Sequence, residues 1–419
     1  MRLRMVAFAG VLTAGLLLTP AAVGMLLEQQ AGRALAGLQA RHPGLRIQQA
    51  EFRRGWWHSE SRQRLVLDTG RRLAAAGVPM GSGAPWLELE VVSRHRHGPL
   101  AGRGLRPALA RAESRFTLGE LGGTTRLTGT AHSRLALGGD AESTLTLDPL
   151  AVDFTDSYGG LDLFGGSFTL ALGGDERTVV LEGTLPGAEW RSTEGSVTVA
   201  DGRLRMRLER SGRTGPWNAG LRLEAETLRA WSRRAPRGQT SARALSLEAR
   251  AAADEGRLAF TLSGAAGTLS LLGRQSRQLV GTVGVEGLSL ESLRAVAGGR
   301  APLPALLAGG GRIALDPLRA ELHYGLLEGS VLVQLPEPAA GPAHPDAPWV
   351  LLEQATAHMH WRLPAGLVDL AARQRELTET VTALRKLQVL TPHGQDSYEV
   401  EAGFRDGVLT VNGVVLTLP

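Results

Sequence analysis

The stretch RLRMRLER (residues 203–210) decides the fold class of this chain. Leu204, Met206 and Leu208 alternate with arginines at positions 203, 205 and 207. Successive side chains of a β-strand point to opposite faces, whereas a helix repeats about every 3.6 residues. The period of two therefore predicts a strand with one dry face and one solvated face.

The same alternation recurs along most of the chain. It is found at residues 86–92, 143–148, 167–172, 221–226, 257–262 and 407–411. Short turn sequences separate these runs: GGD at 138–140 and 173–175, ADG at 200–202, DEG at 254–256 and RDG at 405–407. Strands joined by such short links pair antiparallel. The sequence therefore predicts a mainly β fold, with a long curled antiparallel sheet, a meander, over residues 45–335.

One segment near the C-terminus breaks this pattern. After a proline-rich linker at 336–348, residues 349–419 are predicted to form a strand, a helix and a closing hairpin. Pro364 suits a first helical turn and Pro392 lies beyond the end, so we expect one amphipathic helix of about 24 residues, at about 364–390. Its apolar stripe consists of Leu367, Leu370, Leu377, Val381 and Leu384. A helix with one apolar face is expected to pack on the dry side of the sheet.

The N-terminus has the pattern of a membrane anchor. Residues 5–27 carry no charge, and as a helix they would extend about 34 Å, enough to cross a bilayer. Ala21-Ala22 offers a cleavage site, but apolar residues continue past it, which favours an uncleaved anchor over residues 1–27. Arg2 and Arg4 precede the span, which keeps the short N-terminus in the cytoplasm. We therefore predict a single-pass inner-membrane protein, with an exposed helix at 28–44 and the body in the periplasm.

Composition excludes several classes of partner and modification. The isoelectric point is near 10.4, yet the net charge is only +5, and Lys386 is the single lysine. The arginines are interleaved with acidic residues instead of being concentrated in one segment, so nucleic acid is not an expected partner. The chain has no cysteine, which excludes disulfides and a lipid-modified N-terminal cysteine.

Two histidine pairs are the only candidate metal ligands that the sequence offers. His95 and His97, and likewise His358 and His360, are two residues apart, so each pair shares a strand face. No cysteine or carboxylate stands at a supporting spacing. Gly98 and Pro99 follow His97, and proline cannot donate to a β-ladder. We therefore interpret the first pair as the end of a strand and expect neither a metal ion nor a cofactor.

Catalytic motifs are also missing from the sequence. There is no Gly-Lys-Ser/Thr phosphate loop, no Gly-x-Ser-x-Gly elbow and no His-Glu-x-x-His. The most distinctive cluster is FRRGWWHS (52–59), in which Trp56 and Trp57 are adjacent. Adjacent strand residues face opposite ways, so we expect one indole in the core and the other partly exposed. The chain is not expected to be an enzyme.

Several of these stretches together resemble a known family. An aromatic-x-Arg-Gly-aromatic cluster precedes a His-Gly-Pro motif, and the residues are Phe52, Arg54, Gly55, Trp56, His97, Gly98 and Pro99. With residues 165–187, 361–374 and 404–413 they resemble, in order, the YdgA-like family of Gram-negative envelope proteins. The resemblance implies a membrane-anchored periplasmic protein whose biochemical role is unassigned, and it supplies no catalytic residues.

The leading hypothesis is therefore a non-enzymatic envelope protein that is structural or contacts lipid or an envelope partner. One alternative is an AsmA-like lipid-binding or lipid-transfer trough, whose Leu/Val face carries acyl chains. Others are an envelope hydrolase or a metal-binding module built on the histidine pairs. Whether the apolar sheet face is filled or open distinguishes the trough from a sheet that only buries its dry side.

Overall fold

The computed structural model describes most residues from 25 to 40 and residues 44–416 apart from several segments. The residues outside the description are 1–24, 26–27, 30–31, 34, 38, 41–43, 69–85, 99–107, 121–125, 155–158, 176, 213–214, 234–239, 255, 272–273, 290, 293–309, 337–353, 374–377 and 417–419. The predicted anchor, except Met25, and the proline-rich linker beyond Pro336 lie outside the described residues. Every described residue from 28 to 40 is helical.

The chain divides into two compact units, Met1–Arg191 and Ser192–Pro419. The strands of the first unit are β1 (Leu45–Arg54), β2 (His58–Asp68), β3 (Trp86–His97), β4 (Ala110–Glu120), β5 (Arg126–Leu135), β6 (Ala141–Leu147), β7 (Leu150–Phe154), β8 (Gly159–Leu163), β9 (Gly166–Leu172) and β10 (Thr178–Ser192). Strands β1 to β6 pair consecutively and antiparallel, β6 and β7 pair with β9 and β8, and β10 pairs with both β8 and β9. The first unit is thus an antiparallel meander.

The second unit continues the same architecture with longer strands and two helices. Its elements are β11 (Gly195–Arg210), β12 (Trp217–Ser232), β13 (Thr240–Asp254), β14 (Arg257–Leu271), β15 (Arg274–Ser289), β16 (Gly311–Leu322), β17 (Gly325–Leu335), β18 (Thr356–Pro364), α1 (Ala365–Arg373), α2 (Thr378–Lys386), β19 (Thr391–His393), β20 (Ser397–Arg405), β21 (Val408–Val411) and β22 (Val414–Leu416). Strands β11 to β18 pair consecutively and antiparallel, β18 pairs with β20, and β19 and β21 flank the other edge of β20. The prediction of a mainly β, antiparallel fold is confirmed.

Ion pairs join neighbouring strands of the first unit. Arg62 on β2 bonds Glu90 on β3 at 2.6 Å, and Arg64 bonds Glu88 at 2.5 Å. The Arg64 guanidinium lowers the pKa of the Glu88 carboxyl. Opposite-charge pairs across strands stabilise a sheet modestly and favour one register. Arg62 and Arg64 of β2 are therefore each paired with an acid of β3 within the sheet.

The single C-terminal helix predicted from the sequence is wrong. The structure has two nine-residue helices, α1 and α2, and residues 374–377 between them lie outside the description. Arg385 Nη2 lies 2.7 Å from Asp369 Oδ1. A continuous helix would separate positions sixteen residues apart by about 24 Å, so α2 folds back on α1. The stripe pattern predicted the helical period but not this reversal.

The helical hairpin covers the end of the sheet formed by β18, β20 and β21. Val368 of α1 and Val381 of α2 are buried in one cluster with Leu390, Val400 and Val411. The partly buried hydrophobics packed against this cluster are Met359, Trp361, Leu363, Ala371, Ala372, Leu384, Val389, Tyr398, Ala402 and Leu409. The helices therefore pack on the apolar side of the sheet, with Val368 on the inner face of α1.

A line of backbone irregularity crosses the second unit. Asp201, Ala244 and Gln278 have positive φ angles of 51°, 51° and 48°, a conformation that L-residues rarely adopt. Asp201 and Ala244 flank the same position of β12, Glu226, on its two neighbouring strands. At this line the apolar alternation of β12 changes phase, because Leu221, Leu223 and Ala225 are followed by Leu228 and Ala230. The line therefore bounds the apolar rows described next.

Candidate ligand-binding face

Three rows of uncharged side chains cross strands β11 to β16 on one side of the sheet. Partners in antiparallel pairs share a face, so the register defines the rows. The first is Leu208, Ala219, Ala251, Phe260, Val285 and Ile313; the second is Met206, Leu221, Ala249, Leu262, Val283 and Leu315; the third is Leu204, Leu223, Leu247, Gly264, Gly281 and Leu318. We call these eighteen residues the apolar face. None of them carries a polar side chain.

The other side of strands β11 to β13 carries many charged side chains. Arg203 pairs with Glu224, Arg222 pairs with Glu248, and Arg250 pairs with Thr261. These positions lie one residue away from members of the apolar face, which is the alternation that the sequence shows. The sheet of the second unit thus has one face suited to water and one that is not.

The apolar face is open over β12, β13 and β15. Leu223, Leu247 and Val283 keep 38%, 40% and 37% of their surface exposed. Where the rows continue onto β20 and β21 under the helical hairpin, Val400 and Val411 keep only 8% and 7%. Large exposed apolar patches on a protein mark sites of interaction. The open part of the apolar face is therefore the candidate site.

An aromatic and a basic side chain stand together at the end of β11 and β12. Trp217 pairs with Arg210 in register, two positions beyond the Leu208–Ala219 pair, and so on the same side. The Arg210 guanidinium carbon lies 5.9 Å from the indole centroid, and Arg210 Nε donates to the Gly215 carbonyl at 3.2 Å. Trp217 is 42% exposed. This pair places one positive charge at the border of an uncharged surface.

The motif that carries the sequence resemblance lies in the first unit. Phe52 packs against His95 with 5.7 Å between ring centroids, and Arg54 Nη1 lies 3.3 Å from Glu28 Oε2. The Gly55 amide donates to the His58 carbonyl at 2.8 Å, and a Cβ at Gly55 would lie 2.4 Å from that oxygen. The motif therefore builds the β1–β2 turn and its packing on β3. Pro99 lies outside the described residues.

Comparison with known proteins adds one finding. A family model described as a bacterial protein of unknown function, DUF945, matches residues 2–419. The chain belongs to the DUF945 family. No curated protein and no solved structure matches this DUF945 protein. In the part of the chain that the structure describes, no helix combines the length and apolar character needed to cross a membrane.

The two adjacent tryptophans of this DUF945 protein do not divide between core and surface. Trp56 and Trp57 are both exposed, by 51% and 37%. The expectation of one core indole is wrong because β1 ends at Arg54 and β2 begins at His58, so both residues lie in the turn. The alternation of faces applies only within a strand.

His95 and His97 of the DUF945 protein contact serines. His97 is the last residue of β3, as expected, and its Nε2 lies 2.9 Å from Ser59 Oγ. His95 Nε2 lies 3.0 Å from Ser61 Oγ. Burial, and secondarily the proximity of His97, lowers the pKa of His95. Ser59, Ser61 and His97 are buried, and the contacts with the histidines give the two buried serines the hydrogen-bond partners that buried polar groups need.

The second histidine pair faces carboxylates on β20. His360 Nε2 lies 2.5 Å from Glu399 Oε1, and His393 Nδ1 lies 3.1 Å from Glu399 Oε2. His358 Nε2 lies 3.2 Å from Glu401 Oε1. The hydrogen bond from His360 lowers the pKa of Glu399. Among the described residues no group of three or more His, Cys, Asp or Glu has an arrangement that would hold a metal ion.

The serine and glutamate partners of the histidines were not predicted, although their spacing in the sequence matches that of the histidines. Ser59 and Ser61 repeat the two-residue spacing of His95 and His97, and Glu399-x-Glu401 repeats that of His358 and His360. Matching spacings on two strands produce contacts only when the strands are neighbours in a suitable register. The register between β18 and β20, which are separated by two helices and β19, is a tertiary property.

A cavity of about 720 Å³ lies at one end of strands β13 to β18. Asp254, Arg257, Glu286 and Arg312 bring charges of both signs to its wall, and Gly287 and Gly311 contribute bare backbone. Mixed charges of this kind suit a polar ligand. The cavity is chemically unlike the apolar face.

Proposed function

We propose that this chain is a YdgA-like, non-enzymatic protein of the Gram-negative cell envelope that binds the acyl chains of lipids on its apolar face. In this proposal residues 5–27 anchor the chain in the inner membrane as a single uncleaved span, and both units lie in the periplasm. The observation that carries the proposal is the exposure of Leu223, Leu247 and Val283 on a surface without polar side chains.

The chemistry of the surface favours an acyl chain over a protein segment. A peptide brings amides and carbonyls that must keep hydrogen-bond partners when they leave water. The apolar face has no side chain that donates or accepts a hydrogen bond. A hydrocarbon chain needs only the burial of its surface, which contributes about 0.8 kcal/mol for each methylene.

The border of the face supports a lipid as the occupant. Arg210 and Trp217 are an aromatic and a cation at the end of the rows. Lipid headgroups carry phosphate, which pairs with arginine, and tryptophan is enriched where lipid meets water. A molecule with an anionic head and a hydrocarbon tail would match both parts of the surface, as in the AsmA-like trough hypothesis.

The test uses the full chain in membranes with a phospholipid that carries a photoreactive group in its acyl chain. After irradiation, peptides from β12 to β14 are expected to carry the lipid. Leu247→Asp should reduce their labelling roughly tenfold, because an unpaired carboxylate against the chain costs more than about 1.4 kcal/mol. Leu247 is exposed, so the folded state should tolerate the change.

The matched control is Thr261→Asp, which adds the same charge beside Arg250 on the polar side. It should leave the labelling of these peptides unchanged, and equal melting temperatures check that both variants fold. Labelling confined to residues 5–27, or labelling that Leu247→Asp does not reduce, would rule out lipid binding on this face and leave a structural role.

The rival functions have less support in the geometry. A hydrolase would need an acid–base pair, and the cavity with Asp254 and Glu286 is where its carboxylates would lie. A metal module would use His95 and His97, or His358 and His360, but these side chains are hydrogen-bonded to serine or glutamate. Stoichiometric zinc in the purified protein would favour the metal module over lipid binding.

A further inference from the structure

The turn between β1 and β2 presents two indoles to solvent. Residues 53–58 are six consecutive exposed residues, and Trp56 and Trp57 keep 51% and 37% of their surface. We call Arg53–His58 the tryptophan turn. Exposing two adjacent indoles leaves a large apolar area in water, because tryptophan is among the side chains that contribute most to burial. Such a surface points to a binding partner that covers the two indoles.

The backbone holds the tryptophan turn in a fixed shape. The Gly55 amide donates to the His58 carbonyl at 2.8 Å, and the Trp57 carbonyl accepts the His97 amide at 3.1 Å. Only glycine fits at position 55, since a Cβ there would approach His58 O to 2.4 Å. The turn is thus tied to its own hairpin and to the end of β3.

Charged side chains of both signs surround the turn. The Arg53 side chain is 83% exposed, and Arg96 is exposed on β3 opposite His58. Glu51 lies 4.0 Å from Arg53, and Glu28 lies 3.3 Å from Arg54. Glu60 stands opposite Arg53 in the β1–β2 pairing. Tryptophan with arginine is the composition typical of a protein surface at the membrane interface, where anionic headgroups attract basic residues.

The contact with Glu28 locates the turn relative to the proposed anchor. Glu28 directly follows Leu27, the last residue of the uncharged stretch that we propose spans the membrane. The ion pair between Arg54 and Glu28 therefore holds the turn beside the point where the chain would leave the bilayer. This step rests on the proposed function, because it requires residues 5–27 to be the anchor.

From these observations we infer that the tryptophan turn docks on the headgroup layer of the same membrane, with Trp56 and Trp57 inserted among anionic phospholipids. The turn would give the first unit a second attachment to the bilayer, next to its anchor.

The chain has no cysteine, so single-cysteine variants report on chosen positions without further changes. Trp56→Cys and Trp57→Cys are labelled with an environment-sensitive NBD fluorophore. The matched control is Trp190→Cys, in the same unit and exposed by 46%. Each full chain is reconstituted into vesicles of phosphatidylethanolamine and phosphatidylglycerol, with and without lipids brominated near the headgroup. Flotation with the vesicles measures anchoring independently.

We expect NBD at positions 56 and 57 to show blue-shifted emission that brominated lipid quenches, and NBD at position 190 to show neither. Replacing phosphatidylglycerol by phosphatidylcholine should weaken the quenching, because it removes the negative charge that Arg53 faces. Should a labelled variant fail to fold, quenching of intrinsic fluorescence in the unaltered chain, compared with Trp56→Phe and Trp57→Phe, gives the same answer.

The outcomes separate this inference from the function on which it rests. Chains that float with the vesicles but show no quenching at positions 56 and 57 overturn the inference alone and leave the indoles for a protein partner. Chains that do not float overturn the anchor, and the inference with it. Quenching equal at positions 56 and 190 also overturns it, since a general approach of the unit to lipid would then explain the signal.

Discussion

At the scale of single residues, three glycines lie directly opposite aromatic side chains on neighbouring strands. The pairs are Phe116 with Gly129, Phe168 with Gly183, and Trp361 with Gly329. In each pair the ring lies over the glycine, and a Cβ there would come within 2.2–2.5 Å of a ring atom or, at Gly129, of the Thr146 carbonyl. Glycine weakens a strand, and an aromatic partner across the ladder compensates by covering the bare backbone.

Gly329→Ala should destabilise the protein by about 1–3 kcal/mol, because the added methyl forces the Trp361 ring out of its position. The measurement is the urea midpoint of unfolding. Gly284→Ala is the control, since nothing lies within 4 Å of a Cβ at that strand position. Equal midpoints for the two variants would show that the ring does not depend on the glycine.

A second prediction at the residue scale concerns how the stability of the fold depends on pH. Burial lowers the pKa of His95 below its ordinary value of 6.5, so the neutral imidazole is the form that the fold favours. Below pH 6.5 the unfolded chain therefore binds more protons at residue 95 than the folded chain does. The contribution of neutral His95 to the free energy of unfolding is present above pH 6.5 and is lost as the pH falls below 6.5. We expect the urea midpoint to fall between about pH 7.5 and about pH 5, and His95→Gln to reduce that fall.

The control for this prediction is His132→Gln, an exposed histidine on β5 of the same unit. Its urea midpoint is measured over the same pH range, so that the effect of removing His95 is compared with that of removing another imidazole from the same unit. A dependence that His95→Gln does not alter would mean that other groups account for the effect of acid.

At the scale of elements, the sequence of the C-terminal segment predicts the helical period but not the reversal of the chain between α1 and α2. The alternation of apolar residues about every three to four positions runs through the whole segment. Two hydrogen bonds join the two arms of the hairpin. Arg385 donates to Asp369, and Thr378 Oγ1 donates to the Ala372 carbonyl at 2.8 Å. The ion pair is half exposed and contributes little, so burial of Val368 and Val381 stabilises the hairpin on the sheet.

Val381→Asp should therefore lower the free energy of unfolding by about 3 kcal/mol or more, because it buries an unpaired charge between α2 and the sheet. Leu387→Asp is the matched control, because Leu387 directly follows α2 and is 55% exposed. A shift in melting temperature for Val381→Asp and none for Leu387→Asp is the expected result. If neither variant changes the melting temperature, the hairpin does not contribute to the stability of the sheet.

At the scale of the whole molecule, the organising property is the two-sided sheet of the second unit, with charged side chains on one face of β11 to β13 and the apolar face on the other. In the second unit the apolar face is covered at β20 and β21 and open at β12, β13 and β15. Burial of the open part would contribute stability, and no described segment supplies it. The proposals of lipid on the apolar face and headgroups at the tryptophan turn give these two exposed apolar surfaces related occupants.

The sequence by itself determined the class of the fold, the antiparallel pairing and which residues of each strand share a face. These are local properties, because the period of side-chain direction and the length of a turn depend only on neighbouring residues. It also placed the end of β3 at His97.

Only the tertiary structure decided which apolar positions are covered. Leu247 and Val400 are both apolar strand residues in alternating segments, yet one is 40% exposed and the other 8%. It also decided that the C-terminal helix folds back and that each histidine pair meets serines or glutamates from distant strands. The physical reason is that coverage and pairing depend on segments far apart in the chain, whose arrangement no local period encodes.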